Sequence, residues 1–188
     1  MIIGIAGPTA SGKTTVANSL ESTYGASRMR YSAILAEIAR EKGLDPSDKA
    51  TLQRLYLEGR KEQGEDFLAK EMLKRLEGVA SDLIVIEGNR RLVDIDALRA
   101  LARERDEELK FLFIDASVDV RLGRYNTRLT ETNDTPISHD AFCTLEQNES
   151  ERELAAIRDI FRAEGCVIDT DTLDAAQTMQ QVVKYLGL

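Results

Sequence analysis

Residues Gly7-Pro8-Thr9-Ala10-Ser11-Gly12-Lys13-Thr14 satisfy the pattern G-x-x-x-x-G-K-[ST] without a mismatch. No other stretch constrains the fold as strongly, because this pattern demands a strand before it and a helix after it. Both are expected here. Met1 to Ala6 reads as a short buried strand, and a helix starts near Lys13 with Val16, Ala17 and Leu20 on one face. Backbone N–H groups of such a loop turn inward around a phosphate, and the helix N-terminus adds its positive dipole. Gly7 and Gly12 permit conformations and a close approach that a Cβ would hinder. Gly7, Ala10, Ser11, Gly12, Lys13, Thr14 and Thr15 are therefore the expected phosphate-binding residues. Lys13 is expected to reach the β- and γ-phosphates of a nucleoside triphosphate, and the Thr14 hydroxyl to bind magnesium. The motif by itself does not separate a kinase from an ATPase, a GTPase or a motor.

The rest of the chain supplies the matching scaffold. Leu83-Ile84-Val85-Ile86 and Phe111-Leu112-Phe113-Ile114 are continuous apolar runs, too short for buried helices and suited to parallel strands covered on both faces. Further short strands are expected near Ala26 to Arg30 and at Cys166-Val167-Ile168. Between them lie helical patterns: one capped by Ser32 and carrying Ile34, Leu35 and Ile38, and a helical block from about Asp48 to Glu77. Others cover Val93 to Arg105, Val118 to Arg128, a single long charged helix from Asp140 to Ala163, and Leu173 to Leu186. Leu129 to Ser138 is polar and reads as a mobile loop. Alternating strands and helices imply an α/β sandwich with a mostly parallel sheet, and one domain over residues 1–188.

Composition excludes several other classes. With 43% hydrophobic and 31% charged residues in 188, the chain is neither disordered nor fibrous. No apolar run approaches the ~18–20 residues that span a bilayer, and the opening residues lack a basic leader, so a cytoplasmic protein is expected. A net charge of −8 argues against broad nucleic-acid binding and leaves room only for a local basic cleft. Cys143 and Cys166 match no metal-ligand spacing and read as buried small apolar residues. The single histidine, His139, argues against a Ser–His–Asp apparatus and reads as a surface residue at a helix N-terminus.

Three further clusters carry chemistry. The third strand runs into Glu87-Gly88-Asn89-Arg90-Arg91, and ligands of open parallel sheets sit beyond the carboxyl ends of the strands. Glu87 there holds a magnesium-bound water or takes a proton from an acceptor, and Gly88 leaves room for a substrate. Arg121, Arg124 and Arg128 share one helical face, where like charges repel unless an anion lies between them; a triphosphate under transfer is such an anion. The polar stretch after Arg128, about residues 129–138, then reads as a lid. On the acceptor side, Gly59 inside a helix costs about 1 kcal/mol relative to Ala and signals a close approach. Arg28, Arg30, Tyr31, Arg60 and Arg90 are candidates for holding an anionic acceptor. For Tyr31, stacking on a base and plain packing both remain open.

These motifs together resemble the P-loop nucleoside and nucleotide kinases, in particular the dephospho-coenzyme A kinase-like and archaeal nucleotide-kinase-like proteins and the phage-type deoxynucleoside monophosphate kinases. The resemblance runs over nearly the whole chain. It rests on Gly7 to Thr14, Leu52-Gln53 with Gly59-Arg60, Ile86 to Arg90, Ile114-Asp115-Ala116 followed by the three arginines, and Val167-Ile168-Asp169-Thr170. It implies a three-layer sandwich with five parallel strands in the order 2-3-1-4-5, a helical acceptor-binding region at about residues 32–78, and a lid. It implies ATP and magnesium as cofactors, Lys13, Glu87, Arg124 and Arg128 as catalytic groups, and Thr14 and Glu87 as metal ligands. Thr170 is expected beside the adenine, and Tyr31, Arg60 and Arg90 at the acceptor. Hydroxyl-phosphorylating members usually carry an Asp after the second strand; here that stretch is Arg30-Tyr31-Ser32-Ala33. A phosphate acceptor is already a nucleophile and needs positioning instead, which favours a nucleoside monophosphate. The alternatives are a hydroxyl acceptor (dephospho-coenzyme A, or a hydroxymethylated pyrimidine, free or within DNA) served by Glu87 as base, and a P-loop accessory ATPase or switch.

Overall fold

A computed structural model describes residues 1–147 and 153–188. Five strands, β1 (Ile2–Ala6), β2 (Ser27–Arg30), β3 (Ile84–Asn89), β4 (Leu109–Asp115) and β5 (Cys166–Asp169), form one parallel sheet in the order β2-β3-β1-β4-β5. Strand alternation divides the core into two layers. Ile2, Ile84, Ile86, Phe111 and Phe113 face one side with Ile34, Met72, Leu98 and Phe161. Ile3, Ile5, Val85, Leu112 and Ile114 face the other with Val16, Leu20 and Val182. The first side is covered by α2 (Tyr31–Glu41), α4 (Phe67–Leu76), α5 (Leu92–Arg105) and α8 (Leu154–Glu164), and the second by α1 (Lys13–Tyr24) and α9 (Ala175–Leu186). The remaining helices are α3 (Lys49–Gln63), α6 (Val118–Glu131) and α7 (His139–Glu146).

Several boundaries differ from the sequence reading. β2 passes straight into α2, with Arg30 still extended at the cap, so Ser32 lies inside the first turn and does not cap the helix. The block after Asp48 is two helices; Asp48 caps α3 by accepting from the N–H groups of Ala50 and Thr51 at 3.1 and 3.0 Å. The single helix expected over Asp140 to Ala163 is instead α7 and α8, with residues 148–152 outside the described ones. Leu129 to Glu131 belong to α6, and the Asn126 amide brackets Ile137, donating to its carbonyl at 3.0 Å and accepting from its N–H at 2.9 Å. Part of the expected lid is thus helix, and its far end is tied back to α6. Both cysteines are half-buried rather than buried.

The close approach signalled by Gly59 comes from the protein itself. A Cβ at Gly59 would lie 2.5 Å from the Phe67 ring, so α3 and α4 pack in contact at this position. Gly59→Ala should therefore destabilise by about 1–3 kcal/mol despite alanine's better helix propensity, because overpacking outweighs it. Urea unfolding checks this; a stability gain would mean that Phe67 moves aside freely.

Candidate active site

The phosphate loop joins β1 to α1. Gly7 has φ +142°, and a Cβ there would fall 2.1 Å from the Ile114 carbonyl oxygen of β4. The loop can pass β4 only with a glycine at this point. Gly12, at φ +107°, starts α1. Ala10 is left-handed at φ +63°, a conformation that costs an L-residue roughly 1–2 kcal/mol. This kind of turn directs successive N–H groups to one side. The Lys13 ammonium donates to the Pro8 carbonyl at 2.6 Å. Burial, followed by Arg90, lowers its pKa from 10.5 to about 7; Glu87 opposes this, and Arg121 and Arg128 add to it. A cation held so unfavourably is stabilised by an arriving anion. Thr14 and Thr15 lie exposed in the first turn of α1.

Glu87 reaches the loop from β3. Ile5 is registered with Glu87 and Ala6 with Asn89, so Gly88, at φ +90°, is the extra residue of a bulge. The Asn89 amide fixes the bulge by donating to the Ile5 and Ile86 carbonyls at 3.0 and 2.8 Å. Glu87 is 3% exposed. Its Oε1 accepts from the Thr14 hydroxyl at 2.6 Å, and its Oε2 from Arg28 Nε at 3.1 Å and Nη2 at 2.5 Å. Arg28 is held in turn by the Asn18 side chain. A hydroxyl and a carboxylate in contact form an oxygen donor set, which suits magnesium. Among the described residues no three His, Cys, Asp or Glu side chains gather to hold a metal. An ion at Thr14 and Glu87 would therefore complete its shell with phosphate oxygens and water.

The three arginines of α6 have three different surroundings. Arg121 donates from Nε to the Ala116 carbonyl at 3.0 Å, from Nη1 to the Thr9 carbonyl at 3.2 Å, and with both Nη atoms to the Glu146 carboxylate of α7. Arg124 donates to the Ser11 carbonyl at 3.2 Å, and to the Thr170 hydroxyl and carbonyl at 2.9 and 2.8 Å. Arg128 lies over the Tyr125 ring and lines the cleft beyond the loop. Thr170 is buried, its hydroxyl directed at the Ser11 and Asp115 carbonyls at 3.1 and 2.9 Å, so it braces the loop from behind.

That cleft, of about 400 Å³, is lined by Lys13, Thr14 and Glu87 together with Arg90 and Arg128. Tyr31, Leu35, Leu52, Tyr56 and Leu68 add a largely apolar wall to it. Arg60 does not line it. The Arg60 guanidinium binds Glu65 at 2.5–2.9 Å, and Glu65 also takes Arg91 Nη2 at 2.9 Å. Arg91 continues to the Tyr56 hydroxyl at 3.0 Å and to Glu153 at 2.7 Å. Asp94 also lines the cleft, its Oδ2 accepting from the N–H groups of Arg90 and Arg91 at 2.9 and 3.0 Å.

Residues 6–140 match the AAA domain family, a span that contains the phosphate loop, Glu87 and all three arginines. The chain belongs to this family. The AAA domain match and the sheet order agree on a P-loop nucleotide-binding fold. The chain is also 28% identical over 127 residues to the UPF0200 protein Mbar_A0975 of Methanosarcina barkeri (strain Fusaro / DSM 804). That alignment covers 68% of this chain and 66% of the relative's length.

The AAA domain thus brings Lys13, Thr14, Glu87, Arg90, Arg128 and Tyr31 onto one cleft, and sets Arg60, Arg124 and Thr170 behind its walls. Arg28, by sequence one of several candidates for the acceptor, has its side chain paired with Glu87. Sequence reasoning passed over Glu65, Arg91, Asp94 and Glu146. Arg91 and Asp94 carried a usable signal, since both stand in the first turn after an apolar strand. Glu65 and Glu146 carried none, because their partners lie in other elements. No helix among the described residues is long and apolar enough to cross a membrane.

Proposed function

We propose that this chain is an ATP- and magnesium-dependent kinase that transfers the γ-phosphoryl group to a small nucleotide, a nucleoside or deoxynucleoside monophosphate. The observation that carries the reading is that one cleft is lined both by the loop that would hold a triphosphate and by Arg90, Arg128 and an apolar wall. A second anionic molecule with a flat apolar part matches that combination of surfaces. Lys13 and the loop amides bind the donor phosphates, and Thr14 and Glu87 would hold the magnesium ion, which supplies charge neutralisation when bound. Arg128 neutralises the transferring group, and Arg124 keeps the Ser11 turn in place. Arg90 takes the acceptor phosphate. Residues 32–78 form the acceptor-binding region, and the segment around 129–138 the lid. A hydroxyl acceptor is less well served, since no carboxylate follows β2 in Arg30-Tyr31-Ser32-Ala33 and Glu87 is committed to the metal.

An acceptor panel with ATP and magnesium, read by ADP release, tests this directly. Transfer to nucleoside monophosphates is expected; activity confined to hydroxyl acceptors, or hydrolysis alone, would overturn it. Arg90→Leu should raise the acceptor Michaelis constant about 10–100-fold with a much smaller effect on ATP, as expected for loss of a charge-assisted contact. Arg60→Leu should do far less, because Glu65 stands between Arg60 and the cleft.

A further inference from the structure

Asp94 has more hydrogen-bonding capacity than its structural task requires. It sits at the third position of α5, where one oxygen suffices to cap the helix, and Oδ2 does this alone. Both bonds of the cap fall on Oδ2, which leaves Oδ1 outside the capping task, and the side chain lines the cleft and is 6% exposed. Burial raises its pKa from 3.8 to about 6, the Arg90 and Arg91 amides and the Arg91 guanidinium opposing and Glu153 assisting. A helix cap alone does not call for such a cost, because a neutral amide would serve it.

The second unspent group is close by. The Tyr31 hydroxyl is buried without a hydrogen-bond partner among the described residues. Burial, with help from Asp94, pushes its pKa well up, so it stays protonated and able to donate. The charges that set the Lys13 ammonium are Arg90, Glu87, Arg121 and Arg128, whereas the charge acting on the Tyr31 hydroxyl is Asp94. Asp94 lines the same cleft as Tyr31, Leu35, Leu52 and Tyr56, and its charge acts on Arg90 as well as on the Tyr31 hydroxyl, so it stands between the phosphate-binding arginine and the apolar wall against which the acceptor's ring would lie.

We infer that Asp94 and Tyr31 read the base of the acceptor, and that they select a heterocycle with an amino group beside an unprotonated ring nitrogen, as in cytosine or adenine. The carboxylate accepts from the amino group, and the hydroxyl donates to the ring nitrogen. Uracil and hypoxanthine present the reverse, a carbonyl beside an N–H, and leave a buried carboxylate facing an oxygen. This inference rests on the proposed monophosphate kinase reading and narrows it.

Two nucleotide pairs isolate the contact: dCMP against dUMP, and dAMP against dIMP. The wild-type enzyme should favour the amino member of at least one pair by about 10–100-fold in kcat/KM. Asp94→Asn keeps a carbonyl oxygen for the Arg90 and Arg91 N–H groups and replaces Oδ1 with an N–H donor. It should abolish or invert the preference, mainly through KM, which loss of the cap alone would not do. Tyr31→Phe should reduce the preference without inverting it. Transfer to both members of each pair at equal efficiency by the wild type would overturn the inference and leave the kinase reading standing. An Asp94→Asn enzyme that keeps the wild-type preference would do the same. Transfer to none of the four but to dGMP or dTMP would overturn the inference alone, and transfer to no nucleoside monophosphate would overturn both.

Discussion

Lys13→Ala should lower phosphoryl transfer at least about 100–1,000-fold, the usual cost of removing one preorganised charge-stabilising donor. The fold should survive. The ammonium's only described hydrogen bond is to the Pro8 carbonyl, and its burial is an electrostatic burden on the ligand-free protein. That burden has a pH signature. Folding holds Lys13 near 7 against an ordinary 10.5, so between those values the unfolded chain binds more protons at this site than the folded one. Stability contributed by the site therefore rises with pH from about 7 to about 10.5. Lys13→Met should remove that rise and be relatively most stabilising at pH 7 and below. Melting temperatures of the two proteins at pH 7.5 and 9.5, without nucleotide, check the sign. A gap that is constant or widens with pH would contradict it, and near-normal turnover by Lys13→Ala would remove the kinase assignment.

The other large effect is one of stability. Glu87 is 3% exposed and the Arg28 side chain 13%. Arg28→Met leaves a buried carboxylate without its counter-charge, which costs about 3–5 kcal/mol, or about 6–20 °C in melting temperature for a chain of this size. Replacing both Arg28 and Glu87 with apolar residues should recover much of that loss while activity stays absent. A loss below about 1 kcal/mol in the single variant would show that Thr14 and solvent suffice to hold the carboxylate.

The difference between Arg28 and its neighbours shows where the sequence stops being readable. β3 and β4 are visible because a strand covered on both faces is apolar at every position, and the phosphate loop because its glycines answer local steric demands. Arg28 joins Glu87 only through the pairing of β2 with β3, which no local pattern specifies. The same holds for Arg60, whose partner Glu65 stands beyond the end of α3, and for Arg121, whose partner stands on α7. The break between α7 and α8 is hidden for a different reason. No glycine or proline lies between Asp140 and Ala163, and the charged residues keep helical spacing throughout. Gly59 is an intermediate case: a glycine inside a helix announces that something is near, and only the packed structure says that it is Phe67.

The central position of β1 also bears on how the chain matures during synthesis. β1 is paired at Ile84 on one side and at Leu109 on the other, and the bend at Gly7 is shaped against the Ile114 carbonyl. The phosphate loop is therefore translated early and given its form late. At about 5–20 residues per second, several seconds separate emergence of the loop from emergence of the strand that completes it. Over that interval β1 is an apolar segment without its neighbours, and the nascent chain has no means of binding nucleotide. Nucleotide can therefore stabilise this protein only after β4 has docked, and it offers no help to the earlier steps of folding.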